Sequence, residues 1–212
     1  MTIVAVPRSL IDKLAPNARS VYLTAFDHAD TDLVPFGINA NRLRVAHFLA
    51  QVCHETDGLS IRIENMNYSA ERLPKVWPSR FKDPAVARAH AHNPEKLANS
   101  VYGGRMGNVH AGDGWKFIGR GMMQITGREA YEKYGAALGI DLAGDPDLAF
   151  SGAWSLKIAA AEWAASKRQG RTCNQMADAD DIEGITRAIN GGLIGFESRK
   201  EWLRKVKKAL AL

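Results

Sequence analysis

Ala46-His47-Phe48-Leu49-Ala50-Gln51-Val52-Cys53-His54-Glu55-Thr56-Asp57-Gly58 is the stretch from which the rest of this chain can be read. Asn41, a residue that favours helix N-caps, precedes it. Val45, Ala46, Leu49, Val52 and Cys53 recur at the spacing of an amphipathic helix with one apolar side. Asp57-Gly58 is a stop signal, so Glu55 falls in the last turn. Phe48 and Val52 precede Glu55 at helical spacing and give it a partly apolar setting. The negative end of the helix dipole and partial burial both disfavour a carboxylate there. They favour the protonated form, which a general acid needs near neutral pH.

Outward from this helix, most of the chain keeps a helical rhythm. Leu10, Leu14, Val21 and Phe26 mark an opening helical region interrupted near Pro16. Asp83-Pro84 and Asn93-Pro94 are cap-plus-proline starts. Residues 129–139, 146–167, 180–190 and 197–210 read as further helices, with Trp154 and Trp163 as core. Two stretches resist, 57–69 and the glycine-rich 103–127, and are expected to form short strands or turns lining a cleft. With no repeat and no linker, residues 1–212 read as a single catalytic domain without a separate wall-binding domain.

Composition narrows the class. Apolar residues make up 46% and charged residues 24%, ordinary for a globular protein. No apolar run approaches the roughly 18–20 residues that span a bilayer. The start, Met1-Thr2-Ile3-Val4-Ala5-Val6-Pro7-Arg8, is not a secretory leader, so a cytoplasmic origin is expected. Cys53 and Cys173 are too few and too far apart for a disulfide framework and read as reduced, partly buried thiols. A net charge of +5 favours polyanions, and no nucleic-acid signature accompanies it. Residues 197–208 form a basic helix, read as a solvated face or as an attraction to anionic envelope lipid.

Glu64 follows Glu55 by nine residues, after a turn that can bring it across a groove. Two carboxyl groups facing across a sugar-sized gap are the glycosidase arrangement. Spacing alone leaves this pair one among many acids. The motifs as a set do more. Ala46 to Thr56 resembles the catalytic helix of the glycoside hydrolase family 19 chitinases. Phe117-Ile118-Gly119-Arg120-Gly121-Met122-Met123-Gln124-Ile125-Thr126, followed by Tyr131, resembles that family's second block. Ile189-Asn190-Gly191-Gly192, with Arg199 beyond, resembles the third. The 64–69 and 105–115 regions are similar to those of single-domain phage and prophage endolysins in the family.

The resemblance implies a mainly α-helical, lysozyme-like fold with a cleft between two lobes and at most a short β-hairpin. It implies inverting hydrolysis of a β-1,4 bond beside an N-acetylated sugar. Glu55 matches the family acid and Glu64 the base. Gln124 and Thr126 match positions that hold substrate and the attacking water. Asn190 matches a sugar-binding amide, and Arg199 a cation near the acid. The chain departs from the family at Ile194, where an acidic residue often stands.

From residue chemistry, Tyr68 and Trp115 are candidate sugar contacts, and Arg120 a candidate brace for one of the acids. His54 points about 100° from Glu55 on a helix and reads as a structural hydrogen-bonder. His47, His54, His90, His92 and His110 have no zinc-ligand spacing, so no metal and no cofactor is expected. The expected substrate is bacterial peptidoglycan, cut by a monomeric endolysin. It is held in the host cytoplasm until a holin-type partner admits it to the periplasm. The alternatives are a chitinase, a zinc amidase or peptidase of the wall, and a non-catalytic wall-binding module.

Overall fold

The computed structural model describes residues 3–212; Met1 and Thr2, the first residues of the stretch read as no secretory leader, lie outside the described residues. Helices run α1 Arg8–Leu14, α2 Ser20–Ala25, α3 Ala29–Asp32, α4 Arg42–Glu55, α5 Leu73–Val76, α6 Pro84–His90 and α7 Pro94–Tyr102. They continue with α8 Asp113–Lys116, α9 Arg128–Leu138, α10 Ser155–Ala165, α11 Cys173–Asp178, α12 Ile182–Asn190 and α13 Phe196–Ala209. A two-residue antiparallel hairpin, β1 Lys167–Arg168 with β2 Arg171–Thr172, stands between α10 and α11.

Helix α4 begins where the Asn41 side chain accepts the Arg44 N–H at 2.9 Å. It ends where Asp57 and Gly58 turn left-handed, at φ 46° and 64°. The Gly58 N–H then closes back on the Cys53 carbonyl at 2.7 Å, as in a Schellman-type stop. Every residue from Val45 to Cys53 is buried. The one-sided stripe expected from sequence is therefore incomplete: neighbours surround α4 on all sides. A fully enclosed helix carries little amphipathic signal. Its buried polar members find partners instead. His47 Nε2 meets Asp180 Oδ1 at 2.8 Å, and Gln51 meets Arg199 on α13.

The largest core gathers α1, α2, α4, α10, α11 and α13. Trp163 is wholly enclosed there, edge-on to Phe48 at 5.7 Å, with its indole N–H on Asn174 at 2.8 Å. A smaller core of Met66, Leu73, Phe81, Leu97, Val101 and Ile118 forms a second lobe around α5 to α7. A third cluster, Phe117, Ile125, Tyr131, Leu142 and Ile158, ties α9 to α10, with Trp154 packed against it. Cys53 and Cys173 are free and buried, and burial pushes both thiols up to about 12.

Some boundaries differ from expectation. The helix read over 146–167 is broken: Pro146–Phe150 is a 3-10 turn and α10 starts at Ser155. Ser151 makes the gap: its backbone is extended at ψ 153°, and its Oγ accepts the Trp154 N–H at 3.2 Å, just before α10. The hairpin lies at 167–172 rather than in either non-helical stretch. Those two stretches instead touch through single bridges, Ile63 with Arg120 and Arg120 with Ile125.

Candidate active site

Glu55 closes α4 with about a fifth of its side chain exposed. Arg199, from α13, is only 2% exposed, and its Nη2 donates to Glu55 Oε1 at 2.5 Å while Nη1 donates to Gln51 Oε1. One buried guanidinium thus ties the end of α4 to α13 through both Glu55 and Gln51. Its enclosure also puts Arg199 behind Glu55. It stands as the cation near the acid that the resemblance implies, but is too enclosed to be a substrate contact.

His54 turns the other way. Its Nδ1 meets Ser198 Oγ at 2.9 Å, and its ring packs on Gly195, where a Cβ would stand 2.4 Å from Cε1. Gly195 also needs φ 73°, so glycine is required twice over. Burial, then Arg199, lower the proton affinity of His54. A neutral imidazole thus pins the start of α13, and with it Arg199, against Glu55.

Glu64 lies on the other non-helical segment. Its N–H donates to the Gly119 carbonyl at 2.8 Å, and the Gly121 N–H to the Arg62 carbonyl at 2.9 Å. The carboxylate accepts from Tyr102 Oη at 2.5 Å and from the Gly119 N–H at 3.2 Å. Burial, then Glu64, raise the Tyr102 phenol, so it stays a donor. Gly119 is the point of convergence. A Cβ there would lie 3.2 Å from Gln124 Oε1, 3.2 Å from Glu64 Cβ and 3.3 Å from Thr126 Oγ1. The structure therefore brings Glu64, Gln124 and Thr126 around one bare glycine. Thr126 Oγ1 donates to the Gln124 carbonyl at 2.9 Å. Gln124 itself is held at φ 54°, a strained setting for a residue with a side chain.

The remaining candidates are dispersed. Tyr68 is half-buried, edge-on to Trp77 at 5.1 Å, and its phenol is raised by burial and then by Glu64. Trp115 is 37% exposed on α8. Asn190 is exposed at the end of α12, with Nδ2 3.5 Å from the Ile194 carbonyl. Arg120 braces neither acid. Its guanidinium meets Asp147 at 3.1 Å, the Lys116 carbonyl at 2.8 Å and Tyr131 Oη at 3.3 Å. It fastens the loop on which Gly119 sits, because an arginine fork satisfies several carbonyls at once. Among the described residues, no group of three or more His, Cys, Asp or Glu is placed to hold a metal.

Sequence reasoning missed three participants. Gln51 lies four residues before Glu55 on the same helix face, a signal that was available. Tyr102 and Glu162 carried none. Glu162 Oε2 is buried with no hydrogen-bond partner among the described residues. Burial, then repulsion from Glu55, push this carboxyl up to about 8.

The fold agrees with the comparisons. The sequence pattern of class I chitinases, glycoside hydrolase family 19, matches residues 15–180. A family 19 glycosyl hydrolase domain-containing protein of Haemophilus influenzae is 38% identical over 166 residues, 75% of this chain and 76% of its own. Endochitinase 2 of Gossypium hirsutum is 29% identical over 187 residues, covering 81% of this chain and 55% of its own, so the chain spans about half of that plant relative. A bacterial family 19 chitinase superposes with a TM-score of 0.66 at 23% identity, over 99% of this chain and 96% of its own. Chitinase C of Streptomyces griseus gives 0.61 at 22% identity, over 98% and 77%. From its helical fold and its sequence, this chain belongs to glycoside hydrolase family 19 and is a chitinase-like glycoside hydrolase.

Proposed function

We propose that the chain is an endolysin that hydrolyses the β-1,4 glycosidic bonds of bacterial peptidoglycan with inversion. The observation that carries the reading is the contrast between its two carboxyl groups. Glu55 ends a buried helix with one oxygen on Arg199, while Glu64 is held by Tyr102 and Gly119 beside Thr126 and Gln124. Glu55 gives its proton to the glycosidic oxygen. Arg199 holds one oxygen of Glu55 and so fixes the orientation of the carboxyl group. Glu64 takes a proton from a water oriented by Thr126, and that water attacks the anomeric carbon from the opposite face. An inverting pair needs about 6.5–9.5 Å between carboxyl groups to admit it. Gln124 and Asn190 offer amides to the sugar, with Tyr68 and Trp115 as candidate stacking faces.

The likeness of residues 64–69 and 105–115 to phage endolysins supports peptidoglycan, as does the net charge of +5 toward an anionic wall. In this reading the protein waits in the host cytoplasm as a monomer and reaches the wall through a holin-type lesion. The cations of α13, where Lys200, Arg204, Lys207 and Lys208 border a cavity of about 620 Å³, would draw it to anionic envelope lipid. The endochitinase relatives favour a second reading, cleavage of N-acetylglucosamine polymer. Purified sacculi and colloidal chitin digested side by side, with mass spectrometry of the new reducing ends, separate the two. Soluble muropeptides with new reducing sugars are expected. Chitin oligomers without solubilised sacculus would overturn the peptidoglycan reading.

A further inference from the structure

The segment that carries Glu64 has a second face. Successive side chains of an extended chain point to opposite sides. Glu64 turns to Tyr102 and Gly119, while Ile61, Ile63 and Asn65 are exposed. Together with Arg19, Ser60 and Arg62 they line a cavity of about 420 Å³. It is basic. Arg19 is fixed at its edge, Nε donating to the Ser60 carbonyl at 2.6 Å, and the Arg62 guanidinium lies over the Phe150 ring at 5.1 Å. Neither forms an ion pair among the described residues, whereas Arg44, Arg120, Arg128 and Arg199 all do. Both act on one buried group, Tyr22, whose hydroxyl donates to the Ile61 carbonyl at 3.1 Å. Two arginines without an ion pair among the described residues thus line one pocket with two exposed isoleucines.

We propose that this cavity receives the acidic peptide stem of a muramoyl residue, with stem carboxylates on Arg19 and Arg62 and its small apolar side chains on Ile61 and Ile63. The inference rests on the peptidoglycan reading. A stem branches from the sugar and carries free carboxylates, which suit the planar arginine fork. A chitin strand has no branch and no charge, so it leaves the cavity unused. The segment bearing Glu64 forms one wall of the cavity. Capture of the stem therefore sets which sugar lies over Glu64, making Arg19 and Arg62 specificity-determining residues.

The test compares the wild type, an Arg19→Ala/Arg62→Ala double variant and an Arg19→Lys/Arg62→Lys double variant. The substrates are stem-bearing glycan strands, the same strands after amidase removal of the stems, and chitohexaose. The alanine variant is expected to raise KM for stem-bearing strands about tenfold while staying within about twofold on the other two, the scale of losing charged hydrogen bonds. The lysine variant keeps the charge without the fork and falls between. Equal losses on stem-bearing and stripped strands, or none on either, overturn the proposal. A wild-type protein that cuts stripped strands as readily as stem-bearing ones overturns it too. Activity on chitohexaose with none on either peptidoglycan substrate overturns instead the reading beneath it.

Discussion

Replacing Glu162 by Gln keeps its shape and removes a proton equilibrium. Glu162 Oε2 has no hydrogen-bond partner among the described residues, and burial followed by Glu55 repulsion pushes the carboxyl from 4.5 up to about 8. Below pH 4.5 both folded and unfolded chains hold the proton, so Glu162 costs nothing. Between 4.5 and about 8 the unfolded chain releases its proton and the folded chain retains it, so stability falls as pH rises. Above about 8 the deficit is constant. At 1.36 kcal/mol per pH unit, this interval is worth ~5 kcal/mol, and relaxation around the charge reduces it to about 2–5 kcal/mol. Glu162→Gln is therefore expected to match the wild type in urea unfolding at pH 4 and to gain progressively up to pH 8. The gain should shrink in a Glu55→Gln background, because Glu55 contributes to the shift. Parallel stability curves for wild type and Glu162→Gln from pH 4 to 9 would refute the reasoning.

Three further outcomes follow from the same geometry. Arg199→Met leaves Glu55 and Gln51 without their shared partner and should cost about 3 kcal/mol in urea unfolding, with Arg199→Lys losing less because the charge remains. Gly119→Ala forces Glu64, Gln124 and Thr126 apart by a few tenths of an ångström, so kcat should fall about tenfold or more with little change in Tm. Proton NMR in the first minutes of digestion should show the α-anomer at the new reducing end, and a β-anomer would exclude single displacement.

The extent to which sequence disclosed all this varies by physical cause. Helix starts were legible wherever a local cap sets them, as at Asn41, Asp83 and Asn93. The stop after Glu55 was legible because Asp57 and Gly58 make a left-handed turn. The break before α10 was overlooked, because the apolar and alanine-rich run masks Ser151, whose extended backbone and Oγ end one turn and start the next helix. At the site, family motifs pointed to Glu55, Glu64, Gln124 and Thr126, and three of these surround Gly119. The role of Arg120 was misread, because nothing local shows that Asp147 and Tyr131 take its donors. Tyr102 and Glu162 were invisible for the same reason. Their importance lies in contacts made across the fold, with Glu64 and Glu55.

The central claim is that Glu55 supplies the proton that breaks the glycosidic bond. Its most direct test is the rate of reducing-end release from purified sacculi by wild type and Glu55→Gln, with Tm as a control for folding. The variant is expected to fold and its rate to fall about 10²–10⁴-fold, the contribution of a positioned general acid. A folded Glu55→Gln that releases reducing ends at the wild-type rate would contradict it.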